Sequence, residues 1–347
     1  MKTKEFSADV GGKNLTVVIS DLAEKANGSV ILTYGDTSVL ATAVMSEVKR
    51  EGINFFPLTV DYEEKFYAVG QILGSRFMRR EGRPSDEAVL SGRVVDRTIR
   101  PLFDQRIRNE VQVVITILSL GEYDPDVLAV NAASLALGIS DIPWEGPVSS
   151  VRLLKLKNSD VFEINPTYEM RGSDNLLLDA TLCGKDGNIN MIEIGAHEAE
   201  ETIMQEVFGA AIAEIEKLQE FQKKIIAEVG KEKRVIELEE VPESVKKLFA
   251  ETVGKKLRKT LLSGDGKKYI EALAEEWGKI CAEKFPDENM ALALAYYDEQ
   301  INEAIHDEAV TNNKRADGRN MDEIRSLFAK AGGVSEGVLH GSGIFYR

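Results

Sequence analysis

SDEAVLSGRVVDRTIRPLFDQRIRNEVQVVITILSL, residues 85–120, changes its period halfway. Its first part predicts a helix. Ser85 stands where a cap would accept free backbone N–H groups, Asp86 and Glu87 suit the positive end of a helix dipole, and Pro101 stops the run. Its second part, from Val111 onward, is β-branched and apolar enough to predict a strand buried on both faces. Outward from there, NLTVVIS (14–20), SVLATAV (38–44) and FFPLTVDY (55–62) are earlier strand signals, and DPDVLAVNAASLALG (124–138) is a second helix whose small residues suit close packing on a sheet. Strand and helix signals alternate, which predicts a mixed α/β core.

The pattern continues after residue 145. SVRLLKL (150–156), VFEIN (161–165), NLLLDATLC (175–183) and INMIEIG (189–195) form a second strand group, with Lys185-Asp186-Gly187-Asn188 as a hairpin turn. From Glu201 to Val229, Met204, Val207, Ala211, Ile215, Leu218 and Ile225 recur at helical spacing, and Gly230 is placed to end the helix. From about Val235 to Ala309 only helical signals remain. Ile270, Leu273, Trp277 and Ile280 make one stripe, and Met290, Leu294, Tyr297, Ile301 and Ala304 another. A polar linker, TNNKRADGRN (311–320), precedes the tail. At a constant offset of 306, Gly318, Asn320, Ala329 and Gly341 of that tail match Gly12, Asn14, Ala23 and Gly35, as the start of a second copy of the first domain would.

Composition excludes several classes. The 347 residues are 43% hydrophobic and carry a formal net charge of −15, which predicts a globular protein with a sizeable core that does not coat nucleic acid over its whole surface. No apolar run reaches membrane-spanning length and the N-terminus lacks a signal-peptide core, so the expected location is the cytoplasm, with no membrane association. Cys183 and Cys281 lack any C-x-x-C spacing and are expected to be buried thiols. With three histidines and no H-E-x-x-H, no metal ligand set is assigned. GGKN and GSGIF fall short of phosphate-loop fingerprints and are expected to be turns.

One segment runs against the acidic total. Nine of the chain's arginines lie between Arg76 and Arg108, and no lysine does. Arg79, Arg80 and Arg83, with Arg76 just before them, occupy a loop beside Phe77. Guanidinium forks can hold phosphate oxygens there while the aromatic stacks a base. Arg93, Arg97 and Arg100 follow at i, i+4 and i+7 on one helix face. They suit either a channel for a polyanion or an ion-pair ladder through Asp96, three residues from Arg93 and four from Arg100.

YGDTSVLATAV, the stretch from FFPLTVDY through RFMRREGRPSDEAVLSGRVVDRTIRPLF, DPDVLAVNAASLAL, IPWEGPV and RADGRNMDEIR together resemble the bacterial polynucleotide phosphorylase family, in family order over essentially the whole chain. The resemblance implies an α+β, RNase PH-like core (ribosomal protein S5 domain 2-like). Its two subdomains would be 1–145 and 146–233, followed by an all-helical domain (234–311) and a linker with the truncated start of a second core (312–347). It also implies a phosphorolytic 3′-to-5′ exoribonuclease. Single-stranded RNA and inorganic phosphate would be its substrates, nucleoside diphosphates its products, Mg2+ its cofactor and a homotrimeric ring its assembly. By the same resemblance the catalytic groups and metal ligands belong mainly to the second core, so none is assigned here. Phe77, Arg79, Arg80 and Arg83 are the RNA-gripping positions, with Met78 where the family usually has a second Phe. The alternative is a non-catalytic RNA-binding ring subunit of an exosome-like assembly.

Overall fold

The computed structural model describes residues 2–53, 55–72, 74, 82–238, 240–261, 266–285, 290–332 and 341–347. It falls into two compact units, Met1–Leu238 and Glu239–Arg347. In the first, strands β1 (Thr3–Val10), β2 (Lys13–Ser20), β3 (Gly28–Tyr34), β4 (Thr37–Lys49), β5 (Leu58–Glu63) and β6 (Asn109–Ser119) form a sheet in the order β1-β2-β3-β4-β6-β5. Neighbours are antiparallel except β5 and β6, which run parallel. A parallel pair needs a crossover connection, and helix α1 (Asp86–Ile99) lies in it. Gly11 and Gly12, both at positive φ, make the β1–β2 turn that GGKN predicted.

Helix α2 (Pro125–Ile139) is the centre of the unit. It contacts β3 and β4 of the first sheet and β7 (Ser149–Leu156) of the second, whose other strands are β8 (Glu163–Ile164), β9 (Leu176–Lys185) and β10 (Asn188–Ala196), in the order β10-β9-β7-β8. The short helix α3 (Tyr168–Arg171) precedes β9, and the long helix α4 (Glu201–Val229) packs on β7, β9 and α2. Every residue of α2 except Asp126 is buried. A helix apolar on all sides can only sit between layers, and its small residues let both sheets approach. At Gly28 of β3 an added Cβ would lie 2.1 Å from the Ala136 carbonyl oxygen, and at Gly138 it would lie 2.5 Å from Ile226 Cδ1.

One expectation needs correction. β6 is not buried on both faces: Val111, Val113, Ile115 and Ile117 are buried, but Gln112 is exposed and bonds Asp61, at 2.7 Å. The reason is that α1 and α2, which touch each other, cover one face of the sheet. Strands β1 and β3 were not singled out, β1 because an edge strand with mostly exposed residues carries little apolar signal. Gly230 ends α4 as expected, in an extended conformation (φ −65°, ψ 148°). The chain then straps across the end of α2, where the Lys233 ammonium donates to the carbonyls of Leu137 (2.7 Å), Gly138 (3.0 Å) and Ser140 (2.8 Å). The hairpin turn at Asp186-Gly187 forms with both residues at positive φ, as predicted.

The second unit holds helices α5 (Glu243–Phe249), α6 (Lys255–Leu261), α7 (Gly266–Lys284) and α8 (Met290–Asn312), with a π-helical turn, Ala250–Gly254, between α5 and α6. Phe249 packs edge-on to Trp277, centroids 5.2 Å apart, and the Trp277 indole N–H donates to the Ala293 carbonyl (2.8 Å). Cys281 here and Cys183 in the first unit are free and buried. In the tail, β11 (Phe328–Ala331) pairs with β12 (Gly343–Tyr346), and Leu327, Phe328, Ile344 and Phe345 are exposed.

The two close approaches to α2 predict unequal costs. Gly28→Ala drives a methyl into a backbone oxygen that cannot move alone, and is expected to lose about 3 kcal/mol or more. Gly138→Ala meets only the end of the Ile226 side chain and gains roughly 1 kcal/mol of helix propensity, so it should stay within about 1 kcal/mol of the parent. Urea denaturation of the two variants measures the difference; equal losses would contradict the backbone clash.

Candidate nucleic-acid interface

α1 carries the arginine face, and its start is built as the sequence predicts. The Ser85 hydroxyl accepts from the Ala88 N–H (3.0 Å) and donates to Glu64 (2.7 Å), which ties the helix start to the end of β5. Ala88, Gly92, Val95 and Ile99 face the core. Val89, Leu90, Arg93 and Arg97 are exposed.

The three helical arginines do not share one fate. Arg100, 35% exposed, makes a two-pronged pair with Asp96 (2.9 and 2.6 Å) and donates to the Phe56 (3.3 Å) and Leu58 (3.1 Å) carbonyls, with its guanidinium above the Phe56 ring. It clamps the end of α1 to the chain entering β5. The ion-pair account therefore holds for Arg100 and fails for Arg93, because Asp96 is already engaged. Arg97, 67% exposed, lies 3.6 Å from Glu193, a distance and exposure at which a pair contributes little. Arg83 sits exposed in the bend just before α1, and among the described residues no ion pair is seen for it or for Arg93. Arg106 pairs with Asp104 (2.7 Å), and Arg108 donates to backbone carbonyls. Arg76, Phe77, Arg79 and Arg80 lie outside the described residues. Beyond the sequence reading, Tyr67 is exposed in a short 3-10 turn, Phe66–Val69, that begins two residues after Glu64.

Sequence reasoning also passed over a charge cluster between the two sheets. Asp124, whose side chain caps α2 (2.9 Å to the Asp126 N–H), accepts from both Arg152 of β7 and Arg171 (2.8 Å) of α3. The same two guanidiniums hold Asp179 of β9, at 2.6 and 2.8 Å from Arg152 and 3.2 Å from Arg171. Burial works against the Asp179 carboxylate, but the Arg152 and Arg171 guanidiniums more than offset it and hold its pKa below the usual value. Among the described residues no guanidinium is paired with Asp126, and Arg152 acts on it only as the weakest of several influences. Burial, reinforced by the Asp124 charge, pushes it up to about 6, against hydrogen bonds from Ser91 of α1 and from the Tyr62 hydroxyl of β5 (2.8 Å). Arg152 is only 15% exposed, and each guanidinium faces two carboxylates. The cluster is thus a closed cross-link between layers, leaving no open site.

The chain is similar to known proteins. The 3′ exoribonuclease family, domain 1, matches residues 11–143. The polyribonucleotide nucleotidyltransferase of Ruminiclostridium cellulolyticum is 39% identical over 348 residues, covering 99% of this chain and 48% of the relative. That of Caldicellulosiruptor saccharolyticus is 41% identical over 351 residues, covering 100% and 49%. The chain spans about half the length of the curated relatives it matches. Among solved structures, rice (Oryza sativa) Rrp46 aligns with 65% of this chain and 94% of its own at 14% identity and a TM-score of 0.48.

Asp126 generates a pH prediction. A carboxyl whose folded pKa of about 6 exceeds its unfolded value of 3.8 binds its proton more tightly in the folded state. It therefore takes stability away as pH rises from about 4 through 6. Tyr62 and Ser91 can donate equally well to an amide oxygen, so Asp126→Asn is expected to be more stable than the parent at pH 7. The gain should be about 1–3 kcal/mol and should vanish near pH 4. Chemical denaturation of both proteins across this range checks it, since the other carboxylates cancel in the difference; a gain that does not change with pH contradicts the shifted carboxyl.

Proposed function

The chain belongs to the bacterial polyribonucleotide nucleotidyltransferase family, and we propose that it is the RNA-holding, ring-building portion of a phosphorolytic 3′-to-5′ exoribonuclease acting on single-stranded RNA. The observation that carries this reading is the outward face of α1. In a chain with net charge −15, Arg93 and Arg97 stand exposed beside Val89 and Leu90, while Arg100 anchors the helix from beneath. Exposed guanidiniums on a rigid helix engage backbone phosphates regardless of sequence and release counterions as they do so. Arg83 precedes this face, and the loop residues Arg76, Phe77, Arg79 and Arg80 extend it in the chain. Tyr67 offers a stacking surface of the kind single-stranded RNA uses. A homotrimeric ring in the cytoplasm would bring three such faces together. No helix among the described residues is long and apolar enough to cross a membrane.

In phosphorolysis a phosphate oxygen attacks the phosphorus of the terminal diester. The 3′ oxygen of the preceding nucleotide departs, and the last nucleotide is released as a diphosphate. One anion attacking another needs cationic groups around both. Among the described residues no group of three or more carboxylate, histidine or cysteine side chains gathers to hold a metal ion, and Asp124 and Asp179 are occupied by arginines. Magnesium, implied by the family resemblance, is assigned no ligands among the described residues, and no step is routed through it. The share of this chain is to hold the strand.

Two outcomes test the reading. Arg93→Ala with Arg97→Ala is expected to flatten the salt dependence of oligonucleotide binding by about 1.4 log units per log unit of salt, because two fewer counterions are released. The melting temperature should barely move. Arg100→Ala should do the reverse, losing about 1–2 kcal/mol of stability with the slope intact. Fluorescence titrations at several salt concentrations decide between them, and an unchanged slope in the double variant sinks the RNA-holding role. Separately, the pure chain is expected to release no nucleoside diphosphate from poly(A) with phosphate and magnesium. Turnover proportional to its concentration would place the chemistry within these residues.

A further inference from the structure

The π-helical turn Ala250–Gly254 carries an observation that the RNA reading does not use. Turns of this kind are rare and gather at functional sites. Here the turn borders a cleft of about 280 Å³ between α6 and α8. This is close to the lower end of the range for small-molecule clefts, about 300–1,000 Å³. The cleft lies far along the chain from the matched family region, which ends at residue 143.

Its lining is amphipathic in an ordered way. Buried Phe249 and Leu257 form apolar walls, and small residues at Ala250 and Gly254 leave the space open. Tyr296 stands nearly perpendicular to Phe249, centroids 5.3 Å apart. From α8, Gln300 and Glu303 border the cleft side by side, the Gln300 amide donating to the Glu303 carboxylate (2.7 Å). From α6 come two cations, Lys255 and Arg258. Arg258 is 3.0 Å from Asp307, but both side chains are about 60% exposed, so the pair is easily exchanged for a stronger anion.

Each of these groups matches one part of a single ligand class. An aromatic wall takes the face of a base, and a carboxamide offers both donor and acceptor to a base edge. A carboxylate accepts from ribose hydroxyls, as acidic residues do in dinucleotide sites. Lysine and arginine together hold phosphate oxygens. Glu303 repels phosphate, and this sets the orientation, with the sugar toward α8 and the phosphates toward α6. We propose that the cleft between α6 and α8 binds a ribonucleotide, with the base against Tyr296, the ribose at Glu303 and the phosphates at Lys255 and Arg258.

The test is isothermal titration of the full chain with ADP, adenosine and inorganic pyrophosphate, with amide-exchange measurements to locate binding. ADP is expected to bind at least tenfold more tightly than adenosine or pyrophosphate, because only ADP engages both halves of the cleft. It should slow exchange in 249–258 and 296–304. Lys255→Ala with Arg258→Ala, both exposed and outside the packed core, should weaken ADP at least tenfold while leaving thermal unfolding unchanged. Absence of ADP binding at millimolar concentration overturns the proposal. So does pyrophosphate binding as tightly as ADP, or affinity unaffected by the double variant. Protection confined to residues before 239 would also overturn it, and would leave the RNA-holding role of α1 untouched.

Discussion

Burying α2 on every side is the constraint on which the first unit depends. A helix between two sheets has no solvent to receive its polar groups, so each must find a partner inside. Asn131 donates to the Val127 and Ser150 carbonyls and accepts from the Ser150 N–H, linking the helix to β7. Ser134 donates to Gln222 of α4 and accepts from the Val148 N–H. Gln222 completes the set by donating to the Val148 carbonyl and the Ser149 hydroxyl. Three side chains thereby join α2, α4 and β7, and because a half-satisfied network is worse than none, they hold one arrangement. The ends of α2 are closed the same way, by the Asp124 cap at its start and the Lys233 ammonium at its end.

The arginines divide along the same lines. Where a guanidinium lies within reach of buried carboxylates or carbonyls, it cross-links layers, as Arg152 and Arg171 do between α2 and the second sheet and Arg100 does between α1 and β5. Lysine would serve less well there, since a planar fork presents separate N–H donors to each carboxylate in a fixed geometry. Where the same residue type faces water, on the outer side of α1, no pairing as close as that of Arg100 is seen among the described residues. One helix carries both uses because positions 93, 97 and 100, though on one side of its axis, differ in what lies beneath them.

The helical unit is organised by aromatic packing. Phe249 touches Trp277, Tyr296 and Tyr297 edge-on, and the widened π turn follows directly after it. A regular helix through residues 250–254 would carry the following residues around by a different angle, which is how a backbone irregularity shapes the cleft beside it.

Much of this architecture was legible in the residues themselves. Local chemistry specified the cap at Ser85, the positive-φ turns at Gly11-Gly12 and Asp186-Gly187, the period of α4 and the small residues of α2, because these depend on neighbours a few positions away. The likeness of the arginine segment to one family was legible too, since it rests on residue order alone. Tertiary structure decided the rest. Only folding shows that β6 has one polar face, that Arg100 is anchored to Asp96 and the chain entering β5, and that Asp124 and Asp179, 55 positions apart in sequence, share two guanidiniums. Burial and ion pairing depend on which distant segments meet, and that information resides in the packing of layers rather than in any local run of residues.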